Sequence, residues 1–172
     1  AGIEVECGQD AAAAAASREL NIGFFSRMQR GRPWLRMKIA ASLDGRTALE
    51  NGVSQWITGE AARIDGHAWR RRAGAVLTGF GTLREDDPRL DVRLVPTNCQ
   101  PLRVVIDSRL AIDPAARVLQ PPGAALLYTT SDDEARAAAL RNAHVEIARL
   151  PAEASGKTDL HALVADLARR GI

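Results

Sequence analysis

The chain has 172 residues, of which 46% are hydrophobic and 26% charged, so it has enough apolar sequence to fold around a core. Its 23 basic and 21 acidic residues give a net charge of +2, and the arginines alternate with acidic residues, unlike the concentrated basic face of a nucleic-acid binder. No apolar run approaches the roughly 20 residues of a membrane helix, so we expect a soluble protein with neither nucleic-acid nor membrane partners.

The first quarter of the chain is predicted to hold helical segments and one strand. Residues 10–20 are rich in alanine and predict a helix, which continues or restarts over residues 21–30 until Gly31-Arg32-Pro33 ends it. Over residues 34–39, apolar side chains alternate with Arg36 and Lys38, which predicts a strand. Residues 42–45 then predict a turn.

The rest of the chain alternates strands with helices. After a short segment at 47–49, a helix is predicted from an N-cap at Thr58 to about Arg72. Residues 84–93 are predicted to form a polar loop, because Pro88 prevents a long helix. Buried strands are predicted at 75–77 and 102–106, further strands at 124–130 and 145–147, and helices at 132–142 and 160–170. This order indicates an α/β fold with a mainly parallel sheet, whose ligand crevice lies beyond the carboxyl ends of the strands.

Both ends of the sequence resemble interrupted structure. Residues 2–7 are strand-like without a partner of their own, and the last helix is followed by Gly171 where another strand is expected. We therefore expect a piece of a longer protein.

The cysteines and histidines do not form a recognisable site in the sequence. Cys7 and Cys99 are far apart, without a CxxC pair or a nearby histidine, which predicts buried thiols of a reducing compartment and no zinc site. His67, His144 and His161 are placed as structural or solvated histidines usually are. No nucleophile motif or P-loop is present, and the short glycine turn at 79–81 is weak evidence for a dinucleotide.

Three clusters are unusual together: KIAASLDGRT at 38–47, GVSQWIT at 52–58 and GFGTLREDDPRLDVR at 79–93. Their order and spacing resemble the reductase half of the bacterial bifunctional riboflavin-biosynthesis enzyme, a diaminohydroxyphosphoribosylaminopyrimidine deaminase and 5-amino-6-(5-phosphoribosylamino)uracil reductase. The resemblance covers residues 33–130 closely and continues more loosely to the end. Residues 1–32 resemble the C-terminal remnant of the deaminase domain and a linker, without the deaminase zinc signature.

The resemblance implies a fold and an activity. The fold would be dihydrofolate-reductase-like, with helices on both faces of the sheet, and residues 33–172 would form a reductase domain that lacks its C-terminal part. NADPH, without zinc, would reduce the ribosyl group of 5-amino-6-(5-phosphoribosylamino)uracil to a ribityl chain. It further implies a cytoplasmic homodimer joined to the deaminase domain of its parent chain. Reduction of another pterin or pyrimidine, and an inactive scaffold or dimerisation piece, remain as alternatives.

The resemblance also assigns site residues, position by position. The family's substrate contacts match Ser54, Arg70, Leu90 and Arg93, and its cofactor contacts match Ala40, Trp56, Thr82, Asp86 and Ser108. Considered without the resemblance, Arg70 is typical of a solvated helix arginine, and Trp56 of core packing. The family's downstream Val-Glu-Ala-Gly segment, whose glutamate contacts the substrate, has no counterpart before Ile172.

Lys38 is the candidate catalytic residue. It precedes Ala40 by two residues, so on a strand both side chains would emerge on one face, where the ammonium group reaches the ribose oxygen. The alternative is a lysine solvated at the sheet edge. We also expect the Arg70 and Arg93 guanidinium groups to flank the same crevice as Trp56 and Ala40.

Overall fold

The computed structural model describes residues Gly2, Glu4, Gly8 and 10–172. Most of the strand predicted over 2–7 therefore lies outside the described residues, as does Cys7. The chain divides into two compact units, one formed by Ala1–Arg36 with Val164–Ile172 and the other by Met37–Leu163.

The first unit contains two short helices, as predicted. Helix α1 (Ala11–Leu20) begins after Asp10, whose carboxylate accepts two N–H groups of the first turn. Helix α2 (Ile22–Arg30) restarts after Asn21 and ends at Gly31, which takes the left-handed conformation with φ 64°.

The second unit is built on a four-stranded, wholly parallel sheet in the order β1-β2-β3-β4, which confirms the predicted α/β class. Its strands are β1 (Ala75–Gly79), β2 (Leu102–Ile106), β3 (Ala125–Thr129) and β4 (Val145–Arg149). The same unit contains helices α3 (Glu60–Arg72), α4 (Phe80–Asp86) and α5 (Glu134–Leu140), with a 3₁₀ turn at Arg117–Leu119. The residues of helix α6 (Leu160–Arg169) are divided between the two units. None of the helices described is both long and apolar enough to cross a membrane.

The core lies on the inner strands. Every residue of β3 is buried, whereas the edge strand β1 is only partly buried and leaves Leu77 44% exposed. The expectation of a buried strand at 75–77 was therefore wrong in its burial, because an edge strand is covered from fewer sides.

The strand predicted at 34–39 is not formed. Leu35, Met37 and Ile39 are 65%, 83% and 61% exposed, and none of the four strands pairs with this segment in the described part of the chain. Alternation predicts which face of a strand is apolar, but a strand also needs a hydrogen-bonded neighbour. The segment at 47–49 is likewise irregular, with Leu49 closing a turn to Gly52.

Two helix boundaries differ from the prediction. Helix α3 takes Gly59 as its N-cap, while the Thr58 carbonyl accepts a hydrogen bond from Arg63 at 2.7 Å. Helix α4 was not predicted, and it extends to Asp86, so residues 84–86 are helical and not part of a loop. The loop therefore begins three residues later than predicted, at Asp87, because a proline disfavours helical backbone at the residue before it; Asp87 adopts φ 38°.

The prediction of buried thiols was wrong for Cys99, which is exposed in the loop before β2. Its thiol lies 3.5 Å from the Gln100 carbonyl oxygen.

Candidate active site

One face of α3 carries three side chains of the candidate site. Arg63, His67 and Arg70 are spaced by four and three residues, so they project from the same side of the helix. At the first of these positions, the Arg63 guanidinium lies over the Trp56 ring, 4.6 Å from its centroid. Trp56 is 69% exposed, which rules out the core-packing alternative and leaves its indole available to a ligand.

The other end of this face is bonded to the loop after α4. Arg70 donates a hydrogen bond to the Asp91 carbonyl at 3.1 Å, and the backbone N–H of Arg93 donates to Nδ1 of His67 at 3.2 Å. Arg70 is partly buried by these contacts, so the solvated-arginine alternative does not describe it. Arg70 and Arg93 are therefore brought together.

The geometry of α3 sets the spacing between these two parts. Arg63 and Arg70 are seven residues apart, which corresponds to about 10 Å along the axis on a nearly constant face. The Trp56 indole, stacked on the Arg63 guanidinium, and the Arg70 guanidinium thus lie along one face of α3.

Asp91 is the centre of the charged cluster. Its carboxylate is 2% exposed and accepts hydrogen bonds from Arg89 at 2.9 Å and from Arg93 at 2.8 Å. Burial alone would raise the pKa of the Asp91 carboxyl, but the hydrogen bonds and charges of Arg93 and Arg89 outweigh it and hold that pKa below its ordinary value. The carboxylate is therefore ionised at neutral pH and orients both arginines.

Leu90 joins this cluster with an unusual backbone conformation. It is buried and has φ 56°, a left-handed conformation that costs a non-glycine residue about 1–2 kcal/mol. Gln100 secures the same loop, because its side-chain amide accepts from the Val92 N–H at 2.7 Å and donates to the Val92 carbonyl at 2.9 Å.

A second loop supports Gln100. Gly123 has φ 87°, and a Cβ built at this position would lie 2.9 Å from the Cβ of Gln100, so only glycine fits. Arg103, 1% exposed, fixes this loop by donating to the carbonyls of Gln120 and Gly123 at 2.6 and 2.7 Å. Neither Gln100 nor Arg103 was predicted as a site residue, although an arginine inside an apolar strand pattern was a usable signal.

Three of the five predicted cofactor residues lie near one edge of the sheet. Thr82 and Asp86 belong to α4, which follows β1 directly, and Ser108 follows β2. Because β1 and β2 are parallel neighbours with Gly79 opposite Ile106, these residues come after the same carboxyl edge. Thr82 and Asp86 are exposed, whereas the Ser108 hydroxyl lies 3.0 Å from the Thr158 hydroxyl and accepts its N–H.

The remaining predicted residues are less closely joined to the cluster. Ser54 is partly buried two residues before Trp56, Ala40 is partly buried and Lys38 is exposed. Because residues 34–39 form no strand, the expectation that Lys38 and Ala40 share a strand face was wrong.

His67 is neutral at physiological pH. Burial, followed by the charges of Arg70 and Arg93, lowers its pKa to about 4, against a smaller opposing effect of Asp91. An unprotonated Nδ1 is thus available to accept the Arg93 N–H.

This shift predicts a loss of stability in mild acid. Unfolded His67 takes up a proton near its ordinary pKa, whereas the folded form resists protonation until about pH 4. The free energy of unfolding should fall by about 2 kcal/mol more between about pH 7 and pH 5 in the wild type than in His67→Asn. Urea unfolding followed by circular dichroism measures this difference. The control is His144→Asn, at an exposed position, whose free energy of unfolding should change with pH as that of the wild type does. An equal pH dependence of the unfolding free energy in wild type and His67→Asn would contradict the assignment.

Comparison with known proteins gives consistent matches. The family model described as the RibD C-terminal domain matches residues 33–172. The riboflavin biosynthesis protein RibD of Aquifex aeolicus is 39% identical over 147 residues, covering 86% of this chain and 40% of the relative.

Solved structures agree with this match. RibD of Acinetobacter baumannii, in its second form, has a TM-score of 0.79 and 34% identity over 99% of this chain and 45% of that chain. A structure from Thermotoga maritima, described as a diaminohydroxyphosphoribosylaminopyrimidine deaminase and 5-amino-6-(5-phosphoribosylamino)uracil reductase, has a TM-score of 0.78 and 28% identity, covering 93% of this chain and 42% of its own. The chain thus spans less than half the length of these relatives.

Proposed function

The chain belongs to the RibD C-terminal domain family, and from this membership we propose that it is an NADPH-dependent reductase of riboflavin biosynthesis. Its proposed substrate is 5-amino-6-(5-phosphoribosylamino)uracil, the compound in the description of the Thermotoga maritima structure. The reaction reduces the ribosyl group of this substrate to a ribityl chain.

One observation of the structure carries the proposal. A single face of α3 lines up the Trp56–Arg63 stack with the paired arginines Arg70 and Arg93. An exposed aromatic surface suits a flat nicotinamide or pyrimidine ring, and guanidinium groups suit a phosphate, which they bind through paired N–H donors. The proposed reaction requires both kinds of group in one site.

The substrate phosphate is assigned to the arginine cluster. The Arg70, Arg89 and Arg93 guanidinium groups are set against one carboxylate, that of Asp91, which leaves two positive charges for a phosphate dianion. Ser54 supplies a hydroxyl for the ribose, and buried Leu90 supplies apolar contact and fixes the loop. A pterin without a phosphate would leave these charges unused, which favours a phosphorylated sugar.

The cofactor is assigned to the indole and to the carboxyl edge of β1 and β2. The exposed Trp56 ring fits the flat rings of a dinucleotide, and the partly buried Ala40 is small enough to let a ring approach. The hydroxyl and amide groups of the dinucleotide fit polar side chains, which Thr82, Asp86 and Ser108 supply. When bound, the reduced nicotinamide supplies a hydride to C1 of the ribose. Lys38 is proposed to hydrogen-bond the ribose oxygen, which gains a proton as its bond to C1 breaks.

The wider setting is part of the same proposal. The descriptions of the relatives support a deaminase domain as the partner within the parent protein. A homodimer, a cytoplasmic location and the absence of zinc from this domain are proposed on the family resemblance.

A fluorescence titration with NADPH tests the proposal. We expect a saturable change in tryptophan emission, most of which is lost in Trp56→Phe together with part of the affinity, because the indole forms one wall of the site. Trp34→Phe removes another partly exposed indole outside the site and should bind as the wild type does. NADH is titrated in parallel to measure cofactor preference. The inactive-scaffold alternative would be favoured if no binding occurred at high micromolar NADPH.

A further inference from the structure

The proposed site depends on a histidine that the family resemblance does not assign. His67 lies on α3 between Arg63 and Arg70, is 4% exposed, and accepts the Arg93 backbone N–H at Nδ1 over 3.2 Å. Since Nδ1 accepts, the ring proton of the neutral imidazole belongs on Nε2. A protonated ring could not accept this bond.

The hydrogen bond to His67 fixes the backbone of Arg93, an arginine that the proposed function assigns to the phosphate. The Arg93 side chain is 45% exposed, and its guanidinium is anchored by a 2.8 Å bond to the Asp91 carboxylate. A long exposed side chain loses conformational freedom when it binds a ligand, and this cost falls if its backbone and first contact are already fixed. The His67 bond fixes the backbone of Arg93, three residues after the left-handed Leu90.

We propose that His67 is a positioning residue, which holds the Arg93 backbone so that the guanidinium lies against Asp91 with its other N–H donors available to the phosphate of a bound phosphorylated sugar. The inference rests on the proposed function, because it takes the Arg70–Arg93 cluster as the phosphate site. Arg70 supports the same segment through the Asp91 carbonyl, so α3 holds the loop by one charged and one neutral side chain.

Two substitutions separate the hydrogen bond from the volume of the ring. In His67→Asn, the side-chain oxygen takes nearly the position of Nδ1 and accepts the Arg93 N–H, whereas His67→Phe keeps the ring volume and removes the acceptor. His144→Phe, at an exposed position outside the site, is the matched control. Thermal unfolding of each variant by circular dichroism verifies that it is folded.

Binding of ribose 5-phosphate, with inorganic phosphate as a second probe, is measured by calorimetry. We expect His67→Phe to bind about tenfold more weakly than wild type and His67→Asn to bind within about threefold, since tenfold corresponds to about 1.4 kcal/mol, the upper part of the range for one oriented hydrogen bond. Equal affinities for wild type and a folded His67→Phe would overturn the inference, as would equal losses in His67→Phe and His67→Asn.

A measurement without ligand distinguishes failure of this inference from failure of the proposed function. The nitrogen-bound proton signals of the Arg93 guanidinium in NMR spectra report its pairing with Asp91. If wild type binds neither probe, the phosphate assignment fails. If His67→Phe also broadens these signals while His67→Asn preserves them, the positioning role stands; if both variants preserve them, His67 does not position Arg93.

Discussion

Replacing Arg103 with methionine is expected to lower the free energy of unfolding by about 3 kcal/mol or more. Methionine fills a similar volume but donates no hydrogen bonds, so the carbonyls of Gln120 and Gly123 lose the guanidinium that now satisfies them. The Ala124 carbonyl keeps its bond from the Arg103 backbone N–H. The loss should be large because Arg103 is 1% exposed and water cannot readily replace it.

Urea unfolding gives the free energy, and Arg109→Met supplies the control. Arg109 is an exposed arginine after the same strand, and its replacement should change stability by less than about 0.5 kcal/mol. Arg103→Lys, which keeps the charge but not the planar donor set, should lie between the two. A loss below 1 kcal/mol in Arg103→Met would mean that these carbonyls find other donors.

Substituting Asp91 with asparagine is expected to weaken ribose 5-phosphate binding by about tenfold and to lower stability by about 2 kcal/mol. Asparagine cannot accept two charge-assisted bonds from Arg89 and Arg93, so both guanidinium groups lose their fixed directions. Loss of the negative charge of Asp91 should by itself strengthen phosphate binding, but at these partly exposed arginines that gain in binding free energy is at most about 1 kcal/mol. Loss of orientation should therefore dominate.

Asp65→Asn is the matched control, because it removes the same charge from an exposed position on α3. It should leave stability and binding near wild type, and calorimetry with urea unfolding compares the pair. The lowered pKa of Asp91 sets the sign of its pH dependence: its contribution to stability is present above the ordinary carboxyl pKa and is lost as the pH falls through the lower folded value. Tighter phosphate binding in Asp91→Asn would show that net charge, not orientation, governs the site.

The sequence patterns predicted the elements whose formation depends on local preferences. Helix α3 and strands β2 and β3 were found because capping, apolar runs and glycine breaks are all visible within a few residues. The segment at 34–39 failed because pairing depends on a neighbour distant in the sequence, which alternation cannot identify. The same reasoning applies to β1, whose apolar residues did not reveal its edge position.

The residues of the candidate site were predicted less completely from local patterns than the helices and strands. Arg70 and Arg93 were selected by motif resemblance, since three successive arginines at 70–72 do not show which one bonds to Asp91. The structural interpretation of His67 was correct, but its acceptor role toward Arg93 joins residues 26 positions apart and has no local signal.

The close approach of Gly123 to Gln100 has an evolutionary consequence. A side chain at 123 would meet the Cβ of Gln100, which every residue except glycine carries, so it would require glycine at 100. That glycine would release the paired bonds to Val92 beside the arginine cluster. Among homologues, these two positions should therefore change in concert. A lineage that accepts a larger residue at 123 should also show altered selectivity for phosphorylated sugars, although neither position lies among the predicted ligand contacts.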